Sequence, residues 1–420
     1  MKRLSIVILV AVLACCALFA ETEPKVDYKD INFAFQPGLA RYDAMGQSGL
    51  ALATRLDSFY TNPAVLAKKG FAISIPSVSF SFYNLQKLVS DDDAMAEVRE
   101  LIHGNSDNAG DLAQKLLFNL GTGHNLFAKL DVDLGLKLGP VGLGTNVQLK
   151  IHSFNEGESV STQNLIPEIN VAQTVAFGAR IIDTDAVTLS AGISVHGVYK
   201  AYFKAIGGPK ILEIVGNSEK ASNTILWETP VMGGFAIPFD IGVNVGILND
   251  VLTFSATANN INGYYYMKSY SGMGDLVNSL FKNAMKEPGD REKKDSVSFK
   301  VYTPWSLNFG VAFTPDVSVL KPRVTADLID MFELVKSFGS TNFRWSDLLL
   351  HLNVGTEFGV CDILTLRAGI NRGYMSVGTG LWLPFMQVDA AYGWQEFGPE
   401  IGDKPVDSLT IKFSLGYDKK

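Results

Sequence analysis

Few residues in this chain have types and spacings that could do chemistry, and those few point away from catalysis. The five histidines, His103, His124, His152, His196 and His351, are scattered, with no HExxH and no ligand pair at helical spacing, so no metal site is expected. No G-x-S-x-G elbow occurs. Gly378-Thr379-Gly380 lies in strand-like sequence without the third glycine or the following helix of a dinucleotide fingerprint. Neither a catalytic residue nor a cofactor is therefore expected. Of the three cysteines, Cys15 and Cys16 fall in a segment expected to be removed, which leaves Cys361 with nothing to pair with. The charges of interest are cations. Lys150 and Arg367, with His152 and His196, share the polar face of alternating sequence, and Arg41 stands in a stretch of small residues. A carboxylate ligand would want such a cation, since burying an unpaired charge is costly; the plainer role is pairing with Asp131, Asp133 or Glu357.

The elements that must hold these residues begin after an export signal. Lys2 and Arg3, an apolar run from Leu4 to Phe19, and Ala20 before the polar Glu21 give residues 1–20 as a signal peptide. Val12-Leu13-Ala14-Cys15 loosely resembles a lipoprotein box with Cys15 acylated, but Leu13 is bulky where such boxes prefer small residues. No later stretch approaches the roughly 20 uninterrupted apolar residues of a transmembrane helix. A net charge of -7 and a pI near 5.4 give no reason to expect nucleic acid or anionic lipid as a partner.

From Lys129 onward the sequence alternates strictly. Leu130, Val132, Leu134, Leu136 and Leu138 fall on one face; Lys129, Asp131, Asp133, Gly135 and Lys137 fall on the other. After Gly139-Pro140, residues Val141 to His152 alternate again, with Gly142 and Gly144 among the polar positions, and the pattern recurs to the last strand, Ser408 to Tyr417. About 14 strands are expected over residues 71–420. Alternate connections are short, and most of those between them are long. A soluble sandwich also alternates, but one-sided loop lengths are what an outer-membrane barrel shows, so the expected fold is an all-β, antiparallel, up-and-down transmembrane barrel. Tyr199, Tyr202, Tyr264 to Tyr266, Tyr392 and Trp394 would form part of an aromatic girdle. Two long outer loops, 85–126 and 268–296, carry helical spacing, the first over 91–104 and 112–120. In the second, Leu276, Leu280 and Phe281 are candidates for capturing an apolar ligand above a pore, although packing is the commoner use of such a face.

Residues 21–70 do not alternate and suggest a plug folded into the lumen. This segment contains Gly38-Leu39-Ala40-Arg41, then Gly46 to Gly49, then Asp57-Ser58-Phe59-Tyr60-Thr61-Asn62-Pro63-Ala64. Here the chain resembles the long-chain fatty-acid (FadL-like) channels of outer membranes, whose amino-terminal hatch has a glycine-rich stretch followed by Asn-Pro-Ala. Thr303-Pro304-Trp305-Ser306 to Phe313, and Val354 to Asn371, are similar too; barrels of secretion systems and spirochaete surface proteins share these strand motifs. The resemblance implies a 14-stranded barrel for passive uptake of long-chain fatty acids or other hydrophobic molecules, with Gly46, Gly49, Asn62, Pro63 and Ala64 in the plug. Outer-membrane lipid would surround a barrel expected to be a monomer. A non-transporting barrel, acting as a secretion partner or adhesin, is the alternative. Asn-Pro-Ala suits a tight turn near the ligand path, because Pro63 fixes its own φ and biases Asn62 away from helix. On residues alone the preferred reading is a cap for a short helix, Ala64 to Lys68, on the periplasmic rim, and the resemblance is what favours the plug.

Overall fold

Strict alternation forces each strand to present one chemistry to each face, and here the faces are inverted relative to a water-soluble sheet. The computed structural model describes residues 34–418 except 53–55, 91, 93–95, 97–123, 156–162, 205, 208–223, 283, 288, 290–294, 318–319, 340–343, 362 and 399. The expected signal peptide, Cys15, and the helices expected over 91–104 and 112–120 lie outside the described residues, apart from isolated positions.

The wall is one closed antiparallel sheet of fourteen strands. The first five are β1 (Phe71–Tyr83), β2 (His124–Leu138), β3 (Val141–Asn155), β4 (Gln163–Asp183) and β5 (Val187–Phe203). Three interrupted strands follow: β6 (Val231–Ala236 and Phe239–Ile247), β7 (Leu252–Ile261 and Tyr264–Tyr270) and β8 (Ser298–Tyr302 and Ser306–Phe313). Six more complete the wall: β9 (Pro322–Leu328), β10 (Leu352–Val360), β11 (Leu364–Asn371), β12 (Tyr374–Leu383), β13 (Met386–Glu396) and β14 (Pro405–Asp418). Each strand pairs with its sequence neighbour, and β1 pairs with both β2 and β14, so no edge is left open.

The register puts like with like. Leu130 faces Leu149 and Val132 faces Val147 on the outside, while Asp131 faces Gln148 and Asp133 faces Asn146 on the inside. The inner pairs hydrogen-bond across the strands, Gln148 Nε2 donating to Asp131 at 2.6 Å. Outside, Leu143, Val147, Phe177, Phe254, Leu366 and Phe413 are exposed, whereas Asp131, Asn146, Gln148 and Glu168 are buried. A surface ringed by exposed aliphatic and aromatic side chains around a polar interior is stable against lipid and costly against water. No helix among the described residues is long and apolar enough to cross a membrane. Fold class and strand number match the expectation.

Three differences from the expectation have local causes. The unbroken strands expected near 234–247, 251–267 and 297–313 are interrupted, because Pro238 and Pro304 cannot donate to a ladder and Asn260 and Asn262 take positive φ. Side chains mend the gap: Asn260 Nδ2 donates to the Thr303 and Pro304 carbonyls at 2.9 and 3.0 Å, and Asn262 Nδ2 to the Ile237 carbonyl at 3.1 Å. In β1 the register shifts by one residue between Ser74 and Ser77 against both neighbours, around Pro76. Residues 333–346, expected as plain loop, include helix Met331–Phe338 and the start of Trp345–Leu349, so β9 ends at Leu328 rather than near 332. Leu334, buried, anchors the first of these helices.

Candidate functional site

The site is built by the chain ahead of the first strand. Its elements are short: a helical turn Ala40–Ala44 and two 3-10 turns, Asp57–Phe59 and Pro63–Ala67. Gly46 and Gly49 take positive φ, +65° and +129°, which lets the chain reverse between the first turn and the rest.

This segment lies against inward-facing strand residues, and glycines make the approach possible. A Cβ added at Gly178 of β4 would fall 2.7 Å from the Pro63 carbonyl oxygen, and one at Gly355 of β10 would fall 2.5 Å from the Met45 carbonyl oxygen. Gly142 meets Phe59, Gly192 meets Pro63, Gly242 meets Asn62 and Gly378 meets Ala44 in the same way. The inner wall is thus recessed by glycine where the segment touches it. The alternation had put Gly142, Gly144 and Gly192 on the polar face without assigning them a purpose. That parity was the available signal, and it was missed because a strand glycine by itself reads only as a weak point.

Polar bonds complete the attachment. The Asp327 carboxylate accepts from the backbone N–H groups of Gly49 and Leu50 at 2.6 and 3.0 Å. Asn62 Nδ2 donates to the Leu50 carbonyl at 2.9 Å and to Asn244 Oδ1 at 2.7 Å, while its Oδ1 accepts from Ala64 N at 3.1 Å. Asn62 therefore caps the Pro63–Ala67 turn, with Pro63 at the first position, and does so against β6. Cap and inward placement, weighed as alternatives in the sequence, occur together.

All three candidate cations have carboxylate partners. Arg41 Nε lies 2.8 Å from Glu357, which also receives Arg367 Nε and Arg323 Nη1 at 2.8 Å each, and Arg367 Nη1 reaches Asp389 at 2.6 Å. Arg41 thus ties the segment to β10 through a buried network. Lys150 pairs with Glu168 at 3.7 Å, beside Lys200 at 3.8 Å and His152 Nε2 at 2.7 Å. His196 bridges Thr174 Oγ1 at 2.8 Å and Asp240 at 3.0 Å, with the Tyr60 ring stacked on it.

The capture candidates are placed differently from the expectation. Leu276, in helix Met273–Leu280, packs against outward-facing residues at the loop end of the wall, including Ala201 and Phe203, and approaches Gly233, rather than sitting above the lumen. Gly233 has no side chain, and that vacancy on the outer face is what receives it. Leu280 and Phe281 are exposed.

A cavity of about 610 Å³ lies between the segment and strands β1, β2 and β12 to β14, reaching Ile363 and Pro384 at the short-turn end. Its apolar lining includes Leu39, Leu56, Phe59 and Trp382, and Ile73 and Met386 border it although their register partners Leu136 and Leu415 lie on the outward face; its polar lining is Arg41, Asp57, Asp133, Asp389, Gln387, Lys412 and three serines. On the other side of the segment are two further spaces of about 310 and 380 Å³. Leu39 borders the first of these as well as the large cavity, and Tyr60 borders the second as well as the large cavity. Among the described residues no cluster of three or more metal-ligating side chains occurs.

No family model matches the chain, and no curated protein matches it. Among solved structures it is similar to that of the Pseudomonas putida toluene transporter TodX, at 12% identity and a TM-score of 0.47, covering 92% of this chain and 99% of that one. It is also similar to the monoaromatic hydrocarbon channel CymD, at 11% identity and a TM-score of 0.45, covering 92% of this chain and 99% of that one. A Pseudomonas aeruginosa FadL homologue is similar at 13% identity and a TM-score of 0.43, again covering 92% and 99%.

Proposed function

We propose that the chain is an outer-membrane channel through which hydrophobic small molecules, of which long-chain fatty acids are one class, diffuse without energy input. The observation that carries this reading is the cavity of about 610 Å³ against the amino-terminal segment, lined in part by the apolar Leu39, Leu56, Phe59 and Trp382 within an otherwise polar lumen. Its volume lies within the roughly 300–1,000 Å³ of small-molecule pockets. A barrel serving only as a secretion partner or adhesin has no use for such a space, and a filled, polar lumen would have favoured that alternative.

In this reading residues 1–20 direct export, residues 21–70 form the plug, and residues 71–420 form the barrel, with the long connections outside the cell. Exposed Leu280 and Phe281 offer an apolar first contact at the outer rim. Gly46, Gly49, Asn62, Pro63 and Ala64 shape the plug and fasten it. Arg41 and Arg367 act as its clamp to the wall, and Lys150 holds the upper lumen together through Glu168. A ligand passes when the plug shifts enough to join the upper spaces to the lower cavity. No cofactor takes part, and the surrounding lipid is the only other partner.

The test is saturable uptake of a fluorescent long-chain probe into proteoliposomes carrying the purified barrel. Rates that saturate above those of protein-free liposomes support the channel; rates equal to protein-free liposomes contradict it.

A further inference from the structure

The charges around the 610 Å³ cavity bear on what can occupy it. Three carboxylates line it, Asp57, Asp133 and Asp389, against two cations, Arg41 and Lys412. Both cations already face acceptors. Arg41 directs Nε and Nη2 at Glu357, at 2.8 and 3.2 Å, and Nη1 at the Leu52 carbonyl at 3.0 Å. Lys412 Nζ lies 3.9 Å from Asp133 Oδ2 and 3.4 Å from the Gly38 carbonyl oxygen. Asp389 is held by Arg367 at 2.6 Å and by Gln387 at 2.5 Å. An incoming carboxylate would be a fourth negative group in this lining, and it could gain a cation only by displacing Glu357 or Asp133. Leaving its water without a partner is costly.

The opposite polarity is provided for. Asp133 Oδ2 is buried and has no hydrogen-bond donor, although Asp133 lines the cavity. A hydroxyl group donates one hydrogen and carries no charge, so it would satisfy this oxygen without adding to the negative lining. In the same cavity, Leu39, Leu56 and Phe59 of the amino-terminal segment supply apolar surface for a hydrocarbon tail.

We infer that the cavity takes an uncharged hydrophobic molecule, either a hydrocarbon or a long-chain alcohol with its hydroxyl on Asp133, and excludes the ionised carboxylate. This rests on the channel reading above and narrows it to uncharged ligands, so that of the fatty acids only the protonated form would enter.

Equilibrium binding of radiolabelled dodecanol and dodecanoate to the full barrel in zwitterionic-lipid nanodiscs, with empty nanodiscs subtracted, tests it at a pH well above the carboxylic-acid range. Dodecanol should bind saturably and about tenfold or more tighter than dodecanoate, and Asp133→Asn should narrow the ratio by making the lining less negative. Dodecanoate binding as tightly as dodecanol, or more tightly, would overturn the inference while leaving the channel standing. A preference that Asp133→Asn leaves unchanged would place the selection elsewhere and overturn it as well. If neither probe binds saturably, the channel reading fails and the inference with it.

Discussion

The side-chain amide of Asn62 donates to Asn244 Oδ1 at 2.7 Å, joining two residues 182 positions apart and fixing the amino-terminal segment to the inner face of β6. The same Asn62 caps the turn that follows, so one side chain sets both the local conformation and its docking. Asn62→Ala removes a cap and leaves the Asn244 oxygen without its donor, at a cost of about 1–3 kcal/mol. The barrel should still fold, as judged by heat-modifiable migration, but single-channel recordings should show brief openings absent from the parent. Silent recordings from a folded variant would mean that this contact does not hold the segment.

Gly192→Leu tests the recess more severely. The new side chain would occupy the space of the Pro63 backbone, and backbone cannot yield as a flexible side chain can. The segment should be expelled while the strands remain paired, giving a steady rise in conductance. Ala191→Leu, one residue away on the outward face where Ala191 is half-buried, serves as the control for added bulk.

The Glu357 network should respond unequally to loss of its arginines. Arg367 is buried and serves both Glu357 and Asp389, so Arg367→Met should destabilise the folded barrel by about 3–5 kcal/mol. Arg323 is 43% exposed at its side chain, and Arg323→Met should cost only about 0–1 kcal/mol. Reversible unfolding in guanidinium, followed by tryptophan fluorescence, would show the difference; equal costs would contradict the buried network.

Val147 faces outward near the middle of β3 and is exposed. Arginine there should cost about 2–4 kcal/mol in a bilayer, the penalty for a charge on the lipid face near the midplane. Unchanged folding into vesicles would mean that this face does not meet lipid.

Much of this architecture was legible because period-two alternation is a local signal: the leucines of Leu130 to Leu138 had to share a face, repeated alternation gave the strand count, and the one-sided loop lengths pointed to a barrel rather than a sandwich. The breaks in β6 to β8 were harder to see. Pro238 and Pro304 announce them, but only the pairing of adjacent strands aligns them at one level. The site was legible in part. Gly46, Gly49 and Asn62-Pro63-Ala64 stand out in the sequence, yet their contacts, Asp327, Asn244 and the inward glycines, lie hundreds of residues away in some cases and carry no sequence mark. Leu276 could be read either as a capture or as a packing residue, because helical spacing shows that a face is apolar without showing what covers it. Arg41 and Arg367 share Glu357, a convergence set by barrel closure, which sequence separation hides.

The central claim is that hydrophobic molecules pass through the cavity beneath the amino-terminal segment. Gln387 lines that cavity, is half-buried and pairs with Ser414 on the inward face, so Gln387→Trp can fill the space from within the lumen. The decisive measurement is the initial rate of saturable long-chain alcohol uptake into proteoliposomes containing equal amounts of folded parent or variant. A rate reduced about tenfold or more, on the order of 1.4 kcal/mol in barrier, is the expected result. An unchanged rate would place the ligand's route outside this cavity and contradict the account.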